Sequence, residues 1–210
     1  MKAVMTTSDI LTLFRENGAL LEGHFGLTSG RHSSVYLQCA QVLQYPEIAR
    51  KLGSDLARKV LDILSVPGEG RKIDLVVSPA VGGIVIGQEV AAHLDARVIF
   101  GERADGRMTF RRGFSVTPGE RVLAVEDVVT TGGSIREVAE LASGSEGKVV
   151  GTASIVHRYT DKPVDPTHFP HASLLQIHAP AYEPDDCPLC REGIPLEKPG
   201  SRHLLSGKGL

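Results

Sequence analysis

The sequence predicts an α/β fold, a mostly parallel sheet flanked by helices on both faces. Three observations predict it. First, IDLVVS (73–78), ARVIF (96–100), RVLAVE (121–126) and KVVGTASIV (148–156) are short apolar runs without alternation, as expected of strands buried on both faces. Second, the stretches between them include GGIVIGQEVAAHL and SIREVAELA, which have helical character. Third, strands and helices alternate, the order that builds a parallel sheet.

The remaining elements follow in chain order. SDILTLFREN (8–17) reads as a short helix, with Ser8 as N-cap and Gly18 as its stop. HFGLTSGRHSSVYLQC (24–39) carries two glycines and several hydroxyls before a strand-like VYLQC. Pro46 opens a helix whose apolar residues Ile48, Leu52, Leu56, Val60 and Leu64 recur every four positions and define one buried face. A Gly/Pro loop (67–70) ends it. GERADGRMTFRRG reads as an exposed charged loop after the strand at 96–100. LLQIH (174–178) reads as one more strand, and the Pro- and Gly-rich tail from Ala179 as irregular. The expected division is 1–45, 46–178 and 179–210.

Composition narrows the function. A chain of 210 residues suits one domain with an appendage, and 41% hydrophobic residues supply a full core. A net charge of −2 argues against general affinity for nucleic acid. No window approaches the roughly 18 consecutive apolar residues of a membrane span. MKAVMTTSD lacks the apolar stretch of a secretory signal. Three cysteines are too few for a disulfide framework. A cytoplasmic protein that engages neither membrane nor nucleic acid is expected.

The chemistry concentrates in RVLAVEDVVTTGGSIRE (121–137). An apolar strand ends in two acids, then a small hydroxyl- and glycine-rich turn leads into a helix. In an open parallel sheet, ligands bind beyond the carboxyl ends of the strands. Free N–H groups and the helix dipole at such a turn favour an anion, and a phosphate monoester fits. Two carboxylates would repel that phosphate, so they face sugar hydroxyls, a metal ion or a developing positive charge. A phosphorylated sugar satisfies both halves. The bland alternative is an ordinary strand–turn–helix junction capped by Ser134. Neither the Gly-Lys-Ser/Thr ending of a Walker A loop nor G-x-G-x-x-G is present.

VLAVEDVVTTGGS closely resembles the phosphoribosyl-diphosphate signature of the type I phosphoribosyltransferases. Within that family the chain is similar to the branch that uses orotate. FGLTSGRHSSVYLQ (25–38) is similar to its small N-terminal base-covering segment, and SPAVGGIVIG (78–87) resembles its diphosphate loop. FGERADGRMTFRRGF (100–114) sits where the family has a mobile charged loop, and SIVHR (154–158) resembles the strand ending in a base-binding arginine.

The resemblance implies transfer of phosphoribosyl from 5-phosphoribosyl 1-diphosphate to orotate in pyrimidine (UMP) biosynthesis, with Mg2+ as cofactor and a homodimer with shared sites. Glu126 and Asp127 would hold the ribose hydroxyls, with Asp127 the one candidate protein contact to a magnesium otherwise bound through substrate. Residues Val128 and Val129, then Thr130, Thr131, Gly132, Gly133 and Ser134, would line the phosphoribosyl site, the last five cradling the 5-phosphate. Ala80, Val81, Gly82 and Gly83 would present backbone groups to the diphosphate. Arg103 and Arg107 would neutralise that leaving group. Arg158 would pair with the orotate carboxylate, with Thr130, Phe25 and Thr28 near the base. Where relatives carry loop lysine and histidine this chain has arginine, which stays protonated and is a poor proton donor. The resemblance therefore carries no general acid onto this loop.

Two alternatives stand beside orotate transfer: the same chemistry on a purine, and a non-catalytic sensor of phosphoribosyl diphosphate that controls transcription. A carboxylated pyrimidine is favoured by FGLTSG and Arg158, and a regulator is disfavoured by the absence of a basic face. Cys187-Pro-Leu-Cys190 is a C-x-x-C. A zinc site needs about four ligands. Cys39 is remote in sequence, and His178 and His203 are the only histidines near the pair in sequence, so structural packing is expected ahead of metal binding.

Overall fold

The computed structural model describes residues 4–27, 29–64, 72–162 and 165–199. The Gly/Pro loop at 67–70, Thr28 and His203 lie outside the described residues. The first helix, α1 (Thr7–Glu16), is capped by Thr6 rather than Ser8. Thr6 Oγ1 accepts the Asp9 N–H, and the Asp9 carboxylate accepts the Thr6 N–H at 2.8 Å, a reciprocal capping box. A hairpin follows: β1 (Leu20–Gly26) and β2 (His32–Leu37) pair antiparallel. The first of these strands is absent from the sequence reading, because GALLEGHFG mixes glycine, charge and apolar residues without a period. A short α2 (Ala40–Leu43) leads to α3 (Pro46–Ile63), which starts with Pro at its first turn as expected.

The main sheet then unfolds in order: β3 (Leu75–Pro79), α4 (Gly83–Leu94), β4 (Arg97–Ala104), β5 (Arg107–Phe110), β6 (Arg121–Val129), α5 (Gly133–Gly144), β7 (Lys148–Tyr159) and β8 (His171–His178). Strand order is β5-β4-β3-β6-β7-β8, parallel except for β5. The expected charged loop is therefore a hairpin arm. Asp105 and Gly106 sit at φ 51° and 78°, the left-handed pair that a tight two-residue turn demands.

Pleating sorts the strand residues onto two faces. Val76, Leu123 and Val125 pack under α1, α2, α3 and α4. Leu75, Val77, Val122 and Ala124 pack under α5 through Ile135, Val138, Ala139 and Ala142. Both faces are covered, which is why the strands read as unbroken apolar runs. The tail forms β9 (Ala181–Tyr182), which adds to β2 as a third strand of the small sheet, a single 3₁₀ turn (Pro184–Asp186) and α6 (Pro188–Arg191). It then returns to β1: Gly26 N–H donates to Glu197 O at 2.8 Å, and Glu197 N–H to His24 O at 2.8 Å.

One buried polar clamp ties β7 to β8. The His171 ring lies between Thr152 Oγ1 (2.8 Å) and Ser154 Oγ (3.1 Å). Burial, with the neighbouring His157 second, pushes its pKa from 6.5 down to about 4. The unfolded chain thus binds a proton that the folded chain refuses. The stability held by neutral His171 is full above 6.5 and is lost as pH falls towards 4. His171→Gln, which keeps hydrogen-bonding capacity but does not titrate, is expected to cost about 1 kcal/mol at pH 7. It should also flatten the fall in urea midpoint between pH 7 and pH 5; an equally steep fall in the variant would remove His171 from the acid response.

Candidate functional site

The acid pair lies inside β6, which runs three residues beyond Glu126 to Val129. Glu126 lies against the first turn of α5, and Asp127 against the loop before α4. Among the described residues neither makes an ion pair. The Ile135 N–H, in the first turn of α5, donates to Glu126, and the Val128 N–H to Asp127. Burial, reinforced by the Asp127 charge, lifts the Glu126 pKa from 4.5 to about 8. Burial raises Asp127 as well. Two desolvated carboxylates without a cation form a site that gains from sugar hydroxyls or positive charge.

Three backbone segments converge on this pair. The first is the turn before α5. Gly132 sits at φ 75°, and a Cβ there would run into the Pro166 carbonyl oxygen, so only glycine serves. The helix has no side-chain N-cap, which leaves the N–H groups of its first turn available, except that of Ile135. Ser134 begins the helix without capping it. Thr130 and Thr131 are exposed beside it. Such an uncapped first turn behind a glycine turn suits an anion.

The second segment, Ala80–Gly83, joins β3 to α4. The Ala80–Val81 peptide is cis, and Val81 is 81% exposed. A Cβ on Gly82 would lie 2.6 Å from Asp127 Oδ1. The absent side chain is what lets this loop close onto the carboxylate.

The third segment surrounds Arg158. Arg158, near the end of β7, donates to Ser33 Oγ (3.3 Å) and to Ala179 O (3.2 Å). Its Nε is buried without a partner. Desolvation, with the Arg31 charge second, lowers its pKa. Arg31 itself bonds the Ala181 carbonyl and pairs with Glu183 at 3.0 Å. A half-buried guanidinium with an orphaned donor beside a second arginine suits a planar carboxylate.

Not every expected residue lines the site. Val129 is 1% exposed and packs in the α5 core, and Val128 packs against the opposite core, so both side chains are structural. Phe25 is 2% exposed, its ring 5.7 Å from Tyr36, and it offers no surface to a ligand. Arg103 reaches α5 instead, pairing with Glu137 at 2.9 Å, while Arg107 stands exposed at the start of β5. Conversely, the sequence reading does not single out Arg31 and Ser33. Both lie within the quoted 25–38 segment, and only the fold brings them to Arg158.

The phosphoribosyl transferase domain family matches residues 40–173, well over half of the chain. The chain belongs to that family. Curated relatives at close range are orotate phosphoribosyltransferases: that of Caldicellulosiruptor bescii is 48% identical over 94% of this chain and 99% of the relative. The orotate phosphoribosyltransferase of Chlorobium phaeobacteroides is 49% identical over 94% of this chain and 97% of the relative. Solved orotate phosphoribosyltransferases share the fold. That of Aeropyrum pernix has a TM-score of 0.58 at 22% identity, covering 80% of this chain and 93% of its own. That of Mycobacterium tuberculosis, solved with inorganic phosphate, has a TM-score of 0.57 at 18% identity, covering 81% and 95%.

The raised Glu126 pKa has a measurable consequence in the ligand-free protein. The folded chain keeps a proton that the unfolded chain releases, so the stability tied to it is present below 4.5 and lost as pH rises through about 8. Glu126→Gln, neutral and isosteric, should therefore gain melting temperature over the parent at pH 9 relative to pH 5. Each 1 kcal/mol appears as about 2–4 °C in a chain of this size. A pH-independent difference would contradict the shift.

Proposed function

We propose that the chain transfers phosphoribosyl from 5-phosphoribosyl 1-diphosphate to orotate, giving orotidine 5'-phosphate and diphosphate in pyrimidine nucleotide synthesis. The observation that carries this reading is the gathering of its parts at the carboxyl ends of three neighbouring strands: the Gly82 loop after β3, the Glu126–Asp127 pair and the uncapped first turn of α5 at β6, and Arg158 at β7. A ligand with phosphate at one end, ribose in the middle, and a carboxylated base at the other meets each part in order. Close similarity to orotate phosphoribosyltransferases over nearly the whole chain supports the same choice. In this reading residues 1–45 form the base-covering segment, 46–178 the core and 179–210 an extension. Arg103 and Arg107 act on a neighbouring copy's site in a homodimer.

The chemistry follows from the residues. The bond from ribose C1 to the diphosphate oxygen breaks, and a bond from C1 to the orotate ring nitrogen forms. The proton of that nitrogen leaves to diphosphate or solvent. Positive charge grows on the ribose and negative charge on the leaving group. Glu126 and Asp127, desolvated and without an ion-pair partner among the described residues, bind the ribose hydroxyls and stabilise the first; no protein nucleophile is needed. The N–H groups of Gly133 and Ser134 fix the 5-phosphate, and Arg158 fixes the base. Desolvated carboxylates also fit a divalent cation: Asp127, with Glu126 through ribose or water, would hold magnesium. Bound magnesium supplies positive charge against the diphosphate oxygens. The Arg107 guanidinium adds to that charge when the β4–β5 arm closes.

Base consumption with phosphoribosyl diphosphate, magnesium and each of orotate, uracil, hypoxanthine and adenine tests the assignment. Orotate turnover is expected; purine turnover without it would overturn the proposal. Asp127→Asn should lower kcat by about 10²–10³-fold with little change in KM for orotate. Arg158→Ala should raise KM for orotate by about 10–150-fold, the worth of a hydrogen bond to a charged group.

A further inference from the structure

The C-x-x-C of the tail has partners that sequence proximity conceals. His24 comes from β1 and His32 from β2, and the fold carries both to Cys187 and Cys190, although His24 and Cys187 are 163 positions apart in sequence. One ligand atom from each of the four lies within 4.8 Å of all the others. The separations are 3.0 Å for His24 Nε2 to His32 Nδ1, 3.3 Å for Cys190 Sγ to His32 Nδ1, and 3.6 and 3.7 Å from His24 Nε2 to Cys187 and Cys190 Sγ. Tetrahedral zinc with bonds of about 2.1 Å to nitrogen and 2.3 Å to sulfur sets ligand separations of about 3.3–3.8 Å. Three of these four separations fall in that range, the His24–His32 one is slightly shorter, and the two involving Cys187 with Cys190 and with His32 are within 4.8 Å.

We propose that His24 Nε2, His32 Nδ1, Cys187 Sγ and Cys190 Sγ bind one structural zinc ion that fastens the tail to the β1–β2 hairpin. Four further observations support it. The His24 ring presents its other nitrogen, Nδ1, to the Ile194 carbonyl at 2.7 Å. Donation there leaves a lone pair on Nε2 facing the cluster, the arrangement that orients metal-binding histidines. Cys187 is the N-cap of α6 and Cys190 lies within that single turn, a compact two-cysteine spacing seen in zinc sites. Two thiolates and two neutral imidazoles exactly offset the charge of a divalent cation, so the filled site is neutral. That matters because Cys187, His24 and His32 are 0%, 2% and 8% exposed. Finally, the donor set is two sulfurs and two nitrogens, the mixture that selects zinc over magnesium or calcium.

Four protein ligands leave no open position, so the ion holds structure and does no chemistry. What it holds is informative. The residue after His32 is Ser33, which bonds Arg158, and the tail before Cys187 supplies Ala179 and Ala181 to Arg158 and Arg31. The clamp thus fixes both walls around the two arginines.

The test uses the full-length, untagged chain purified without chelators. Elemental analysis after dialysis should find about one zinc per chain. Cobalt substituted for zinc should give tetrahedral d–d bands and a thiolate-to-cobalt charge-transfer band. Cys190→Ser and His32→Gln should each lower retained zinc at least about tenfold, and stripping zinc should lower the parent's melting temperature. Absence of zinc from the parent together with no thiolate–cobalt band on reconstitution overturns the proposal, as does a Cys187–Cys190 disulfide in metal-free protein. Should the variants fail to fold, the cobalt spectrum of the parent decides. None of these readouts depends on which base is the substrate.

Discussion

The structure depends on two carboxylates held near the end of a buried strand with no counter-charge among the described residues. Desolvating Glu126 and Asp127 opposes their ionisation, a cost that the proposed ligand would offset. Everything around the pair is arranged for close approach. Gly82 gives up a side chain so that its loop can meet Asp127, and Gly132 adopts a left-handed turn beneath Pro166 so that α5 begins uncapped. Local propensity is sacrificed where function needs room, and the unbroken apolar strands behind the site supply the compensating stability.

The core was legible in the sequence because a parallel sheet covered on both faces imposes continuous apolar runs. The stretches 73–78, 121–126 and 148–156 all fall within or overlap the observed β3, β6 and β7. Boundaries were less legible. The β6 strand continues through Glu126 and Asp127, since hydrogen bonding to β7 overrides the appearance of a polar stop. The hairpin arm was marked by Asp105-Gly106, a strong turn signal, but its dense charge reads as loop. The β1 strand gave no periodic signal because it pairs in a small sheet whose faces are only partly covered.

The site divides the same way. The acid pair and the turn before α5 are contiguous in sequence, so spacing alone exposes them. The surroundings of Arg158 are assembled from residues 31, 33, 158 and 179–183, which only tertiary structure joins. The Cys/His cluster is the extreme case. The sequence offered His178 and His203 as the pair's neighbours, but His178 bonds the Thr160 carbonyl at 2.6 Å. His24 and His32 take the place beside the cysteines. No one-dimensional spacing rule reaches across that separation.

The central claim is that one ligand spans the cradle and the acid pair. A crystal structure of the protein with phosphoribosyl diphosphate and magnesium tests it most directly. The account predicts the 5-phosphate within hydrogen-bond distance of the Gly133 and Ser134 N–H groups, with the ribose hydroxyls on Glu126 and Asp127. A 5-phosphate bound instead by Arg158 or the Gly82 loop, leaving the first turn of α5 unoccupied, would contradict it.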